Sequence, residues 1–354
     1  MPYPSRRTVV SAASLLPFAT GVAGAPAHAA PAGPLSGPLT SVLGAKQWLN
    51  TTALQPDDLR GKVVLVNVWT YSCIYCIRTL PHLRAWTAKY KDQGFVLIGV
   101  HSPEFAFEHD PDNVRTALAF LGVGYPVPID NDFVIWRALE NDGWPGFFFI
   151  GADGRIRDRI DGEGNYDQAE RIIQTLLSEA GHPPPTGDFV TVSGEGLEAA
   201  PGIADVRSPE TYVGYAQGRN FASPGGVTRD APRVYEPAPV LSLNQWDLAG
   251  RWTIGGEFAT LVEAPGSIAF RLHARDLHLI LAPPSPGQAI RFRVTIDGSS
   301  PADGNGSDVD AQGLGTVRDA RLYQLVRQPG PIVDRTFRIE FLDPGVRAYD
   351  FSFG

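Results

Sequence analysis

From Val63 to Trp69 the chain reads Val-Val-Leu-Val-Asn-Val-Trp, a nearly unbroken apolar run. Such a run predicts a strand buried on both faces of a parallel sheet. Phe95-Val96-Leu97-Ile98-Gly99-Val100 predicts a second. Phe147-Phe148-Phe149-Ile150, followed by Ala152-Asp153-Gly154 and Arg155-Ile156, reads as strand, turn and strand. Helical signals fill the spaces between and after these strands. Asp110-Pro111 caps and starts a helix that ends near Gly122, since proline fits the first helical position. Ala169, Ile172, Ile173, Leu176 and Leu177 line one face of a helix from about Tyr166 to Ala180, which Gly181 stops.

After His182-Pro183-Pro184-Pro185 the pattern changes from helical to alternating. Short runs recur between Gly, Pro and Asp turns: 268–272, 277–281, 290–294, 322–326 and 337–341. That spacing, with no convincing amphipathic helix beyond about residue 188, predicts an all-β sandwich. The expected organisation is a leader over 1–29, a linker over 30–37 and an α/β domain over 38–183. A second linker over 184–205 leads to the β-sandwich over 206–354.

The length, 354 residues, agrees with two domains, and 43% hydrophobic residues suffice for ordinary cores. A net charge of −8, with no basic cluster after Arg7, argues against nucleic acid as a partner. No stretch of about 18 uncharged apolar residues follows residue 30, so a membrane-spanning protein is not expected. Ser5-Arg6-Arg7-Thr8-Val9-Val10, the weakly apolar stretch to Ala25 and Ala27-His28-Ala29 together read as an export signal. The adjacent arginines suit the twin-arginine type, with an ordinary secretory signal as the alternative. Export would place the protein in the periplasm or outside the cell, an oxidising setting for cysteines.

The only two cysteines, Cys73 and Cys76, lie within four residues, directly after the first predicted strand and at the start of a predicted helix through Arg78, Leu83 and Trp86. A helix N-terminus favours an anion, and the thiolate is the nucleophilic form of cysteine. A thiol of pKa about 8.5 is about 3% ionised at pH 7, whereas one near 7 is roughly half ionised. Cys76, one turn on, can reach back to resolve a mixed disulfide. A passive crosslink is the first alternative, although closing so short a loop contributes only about 2 kcal/mol. Metal binding is the second, and it needs His82 or His101 to complete half a zinc site.

Residues 60–181 resemble the thioredoxin superfamily in its exported TlpA/ResA branch. The likeness is carried by Arg60-Gly61-Lys62 leading into the first strand and the cysteine pair, by Pro81, and by Trp144-Pro145. The chain is still more similar to the periplasmic portion of DipZ-type proteins. There it rests on Trp69-Thr70-Tyr71-Ser72-Cys73, His101-Ser102-Pro103-Glu104-Phe105, Gly162-Glu163-Gly164-Asn165-Tyr166, Pro209-Glu210-Thr211-Tyr212 and Leu342-Asp343-Pro344-Gly345. In that family the second domain resembles a jelly-roll or carbohydrate-binding module.

The resemblance implies Cys73 as attacking thiol, Cys76 as resolving thiol and Pro145 as a cis proline facing them. Trp144 would offer backbone to a substrate, Trp69 would line the site and Pro81 would kink the active-site helix. Asn67 stands where thioredoxins proper keep a buried acid, so proton transfer to Cys76 falls to Glu104, in the loop after the second strand. Ile74-Tyr75 replaces the Gly-Pro of thioredoxins, which leaves the reduction potential open. DipZ-type proteins also carry a membrane electron-transfer domain that has no counterpart here. The reductant or oxidant is therefore expected to be a separate molecule.

The function expected is an exported thiol–disulfide oxidoreductase acting on cell-envelope proteins, with the cysteine pair as its only redox group and no dissociable cofactor. No phosphate loop, nucleophile elbow or dinucleotide fingerprint occurs. One rival is a glycan-binding envelope protein using Trp246, Trp252, Tyr212, Tyr215 and Tyr235. Another is a copper or zinc chaperone. Asp303, Asn305, Ser307, Asp308 and Asp310 offer oxygen ligands, but Asp308 stands where a calcium loop needs glycine.

Overall fold

The computed structural model describes residues 37–182 and 187–354. The expected leader, most of the first linker and the Pro183–Pro185 run lie outside the described residues. The chain divides into two compact units that do not follow its order. The first gathers residues up to Thr70, Thr79–Glu104 and Leu118–Val192. The second gathers Tyr71–Arg78, Phe105–Ala117 and Ser193–Gly354.

The N-terminal half begins with α1 (Pro38–Leu43), β1 (Trp48–Leu49) and α2 (Pro56–Leu59). Next come β2 (Val63–Trp69), α3 (Ile74–Ile77), α4 (Leu80–Tyr90) and β3 (Phe95–His101). The half closes with α5 (Pro111–Phe120), β4 (Val127–Pro128), α6 (Val134–Ala138), β5 (Gly146–Ile150), β6 (Ile156–Asp161) and α7 (Tyr166–Glu179). Four strands form one sheet in the order β3-β2-β5-β6, with β2 parallel to β3 and antiparallel to β5. Every residue of β2 is buried, as an apolar run in a central strand requires.

One network fixes the edge of this unit. Glu170 of α7 is buried, yet it accepts hydrogen bonds from Trp86 Nε1, Lys89 Nζ, Tyr90 OH and Val190 N. Burial opposes its charge, but these donors outweigh burial and hold the carboxyl below its usual range.

The C-terminal region is all β. Its strands are β7 (Thr211–Tyr212), β8 (Pro232–Tyr235), β9 (Trp246–Ile254), β10 (Ala259–Leu272) and β11 (Asp276–Ala282), then β12 (Ile290–Ile296), β13 (Leu314–Val317), β14 (Arg321–Arg327), β15 (Arg335–Phe341) and β16 (Arg347–Phe353). They hydrogen-bond as one antiparallel sheet whose main path is β13-β12-β15-β10-β16-β11-β14. The long strand β10 serves two halves: Gly266–Leu272 pairs with β15, and Ala259–Thr260 pairs with β16. Register shifts between Leu261 and Ser267 bend it, the usual device for turning a strand from one layer to another. Gly250 faces that bend at φ 95°, where a Cβ would lie 2.9 Å from the Pro265 carbonyl oxygen. Only glycine fits there.

The two halves close on a common core, with Phe270 ringed by Phe351 and Phe353 at 5.1 Å each. Phe270→Ala should cost about 3–5 kcal/mol through the cavity it leaves. Urea unfolding followed by tyrosine and tryptophan fluorescence reads this as a lower midpoint with an unchanged slope.

Strand β12 shows the alternation its sequence predicts, with Ile290, Phe292 and Val294 inward. Strand β11 departs from it and is buried throughout, His278 included. In this unit the segment Tyr71–Arg78 also lies close to the strand. The Arg78 guanidinium packs so tightly on Gly354 that a Cβ there would sit 1.8 Å from Nη2. Gly354 in turn accepts a hydrogen bond from Asp276 N at 2.7 Å, at the start of β11.

Candidate active site

Cys73 is the N-cap of α3, with extended backbone at φ −78° and ψ 114°. Its Sγ accepts a hydrogen bond from the Cys76 backbone N–H at 3.4 Å. Both cysteines are buried. The strand–cysteine–helix order predicted from the sequence is therefore present. The single kinked helix is not: α3 ends at Ile77, and Arg78 and Thr79 separate it from α4. Pro81 sits in the first turn of α4, where its missing N–H removes a link back to α3.

A carboxylate that the sequence reading passed over anchors the approach to Cys73. Glu108 is fully buried in a short turn, Ala106–His109. One of its oxygens accepts from Ser72 Oγ at 2.6 Å and from Ser72 N at 3.3 Å. The other accepts from Phe105 N at 2.9 Å. Tyr71 packs its ring 6.0 Å from Phe107, and burial, reinforced by the charge of Glu108, pushes its phenol far above the usual range. The signal available in the sequence was an acid placed directly after Phe105-Ala106-Phe107, where burial leaves a charge in need of donors.

The remaining expected residues belong to the other unit. Trp69 is fully buried and stands edge-on to His101 at 6.0 Å, while His101 Nε2 lies 3.3 Å from Thr70 Oγ1. Asn67, also buried, donates from Nδ2 to the Gly146 carbonyl at 3.3 Å. Glu104 is buried rather than exposed, at 8% accessibility. The Trp144–Pro145 peptide is cis, and Trp144 Nε1 donates to the Ser102 carbonyl at 2.9 Å. The structure thus brings Cys73 and Cys76 together in one unit and Trp69, Glu104, Trp144 and Pro145 in the other.

The alternatives meet different fates. His82 stacks on Tyr166 at 3.6 Å, and burial pushes its pKa down to about 4. Among the described residues, no three His, Cys, Asp or Glu side chains gather as a metal site. Trp246, Trp252 and Tyr235, offered as sugar platforms, are core residues with at most 2% exposure. Asp308 pairs with Arg321 at 2.6 Å and accepts from Gln324 N, while Asp310 accepts from Gln312 N and Leu314 N. The acidic loop therefore directs these oxygens at its own donors.

Residues 44–159 match the AhpC/TSA family, and residues 208–354 match the thioredoxin like C-terminal domain. The N-terminal region is thus a thioredoxin-like AhpC/TSA domain. Protein DipZ of Mycobacterium bovis is 37% identical over 243 residues, 67% of this chain and 34% of that protein. The chain thus spans about a third of the length of that relative. The thiol-disulfide oxidoreductase YkuV of Bacillus subtilis is 26% identical over 142 residues, covering 40% of this chain and 95% of YkuV. The thiol-disulfide oxidoreductase ResA of Bacillus cereus is 28% identical over 123 residues, covering 35% of this chain and 68% of ResA. No helix among the described residues is long and apolar enough to cross a membrane.

Proposed function

We propose that the chain is an exported thiol–disulfide oxidoreductase that exchanges disulfides with partner proteins through Cys73 and Cys76. One observation carries the reading: the Cys73 sulfur caps α3 one turn ahead of Cys76, whose backbone N–H it accepts. In the reducing direction the Cys73 thiolate attacks one sulfur of a partner disulfide. A mixed disulfide forms, and the partner's other sulfur leaves as a thiolate that takes up a proton. Cys76, once deprotonated, attacks Cys73 Sγ, releases the partner's second thiol and closes the Cys73–Cys76 disulfide. Two electrons and two protons have then passed to the partner. An external dithiol resets the pair by the same exchange. Run backwards, the oxidised pair accepts two electrons from partner thiols.

The likeness to the family supplies the supporting roles: Pro145 and the Trp144 backbone for the substrate chain, Trp69 as a wall, Glu104 as proton acceptor for Cys76. It also supports a redox domain over 38–183 and a separate all-β domain over 206–354, working in an extracytoplasmic compartment.

Trapping tests the reading. A Cys76→Ser chain expressed in its own compartment should hold partner proteins as mixed disulfides on Cys73, seen as thiol-sensitive bands on non-reducing gels. Recovery of none, with wild-type and variant equally folded, would refute exchange with partner proteins.

A further inference from the structure

Glu108 uses its two oxygens differently. The contact from Phe105 N closes the turn Ala106–His109, which is an ordinary local role. The contacts from Ser72 do nothing for that turn. They reach a residue 36 positions away, immediately before Cys73, and take both its side-chain and backbone donors. The 2.6 Å hydroxyl–carboxylate bond is of the short, charge-assisted kind.

The turn that carries Glu108 is itself fixed. Phe105 and Phe107 stack on each other at 5.8 Å, and Tyr349 of β16 meets both edge-on, at 5.4 and 4.9 Å. Ala106 N donates to Glu257 Oε1 at 2.8 Å. A continuous set of contacts therefore runs from β16 through the turn to Glu108, Ser72 and the N-cap of α3. Cys73 depends on that N-cap geometry, since its extended backbone aims Sγ at the Cys76 N–H.

We infer that Glu108 is a positioning residue for the disulfide exchange, acting through Ser72 to hold Cys73 in its attacking geometry. The all-β region takes part in the chemistry by this route, as the anchor of the turn rather than as a separate binding module. The inference rests on the activity proposed above. It adds to it a residue outside the cysteine motif and a reason for the second domain.

Three variants of the full chain test it: Glu108→Gln, Ser72→Ala and the double substitution. Glutamine keeps the size of Glu108 but places an amide N–H against the donors of Ser72 or Phe105. Turnover on insulin disulfides should fall about tenfold in kcat, the scale of losing a defined attack geometry, with KM within about twofold. Cys73 should meanwhile alkylate with iodoacetamide roughly threefold faster, because a loosened segment exposes a buried thiol. Opposite movement of the two rates is the signature of lost positioning. Removing a negative charge near an attacking anion would by itself speed both. Ser72→Ala should move both rates the same way by a smaller factor. The double variant should be no worse than Glu108→Gln alone, because both substitutions break one link.

Three outcomes would overturn the inference: rates within twofold of wild type in Glu108→Gln, a rise in kcat, or multiplicative effects in the double variant. Should Glu108→Gln fail to fold, the comparison of Ser72→Ala with Ser72→Thr decides. Threonine keeps the hydroxyl and should keep at least half the activity, whereas equal losses refute the link. If the wild-type chain reduces no disulfide, the proposed activity fails, but the alkylation rates still decide whether Glu108 holds Cys73.

Discussion

Cys73→Ser should abolish insulin-disulfide reduction, a loss of at least about three orders of magnitude, while the fold stays intact. The size of the loss follows from the chemistry: a serine hydroxyl is neither ionised at pH 7 nor able to form and break disulfides, so no mixed disulfide forms. The survival of the fold follows from the geometry. Cys73 is the N-cap of α3, and its sulfur accepts the Cys76 N–H. Serine is among the best N-cap residues, and its oxygen is a better acceptor than sulfur. Stability should therefore stay within about 0.5 kcal/mol of wild type. Measuring turnover beside thermal melting separates the two effects. A Cys73→Ser chain as active as wild type would end the oxidoreductase reading, because Cys76 is then the one thiol left among the 354 residues and has no partner within the chain with which to close a disulfide.

The all-β region should lose stability in acid, through His278. This histidine is fully buried in β11, and its Nδ1 lies 3.3 Å from the Ser352 carbonyl, the direction of a donor. Burial first, then the positive charges of Arg78, Arg327 and Arg275, push its pKa down to about 3, against which the Ser352 contact gives only partial relief. The unfolded chain binds a proton near pH 6.5, whereas the folded chain resists it. The contribution is whole above pH 6.5 and is lost progressively as pH falls towards 3. Between pH 6.5 and 4 the loss comes to about 3 kcal/mol. Urea midpoints at pH 7, 5.5 and 4.5 should fall steadily in wild type and less steeply in His278→Leu, which has nothing to protonate there. Parallel slopes would show that other groups carry the acid sensitivity.

The elements with the plainest patterns were legible without coordinates. Val63–Trp69 and Ile290–Val294 took the strand types their periodicity implies, because burial on two faces or one leaves a direct mark on composition. Tyr166–Glu179 is the helix its apolar stripe describes. Strand β9 left no such mark, since Gly250 and Arg251 interrupt its alternation opposite the bent part of β10. The bend turns four consecutive residues, Val262–Pro265, to solvent, so a strand of 14 residues showed only its second half.

At the site, the cysteine pair was legible because chemistry restricts it to one residue type at one spacing. Glu108 was not, because a carboxylate in a loop looks alike whether it meets water or Ser72. Glu104, preferred from the sequence, is buried too, so loop position alone does not tell a buried acid from a solvated one. Arg78 could not be found at all: its partner, Gly354, has no side chain to advertise a contact.

That last contact bears on how the protein is made. Residues 71–78 share a compact unit with strands as late as β16, the last in the chain. A ribosome releases the cysteines long before it releases the residues that cover Arg78 and brace the turn at Glu108. Contacts separated so widely along the chain form late and slowly. Until Tyr349 and its neighbours are made, the turn at Glu108 lacks the rings that brace it in the finished fold, and the two thiols should be more open to oxidants than they are afterwards.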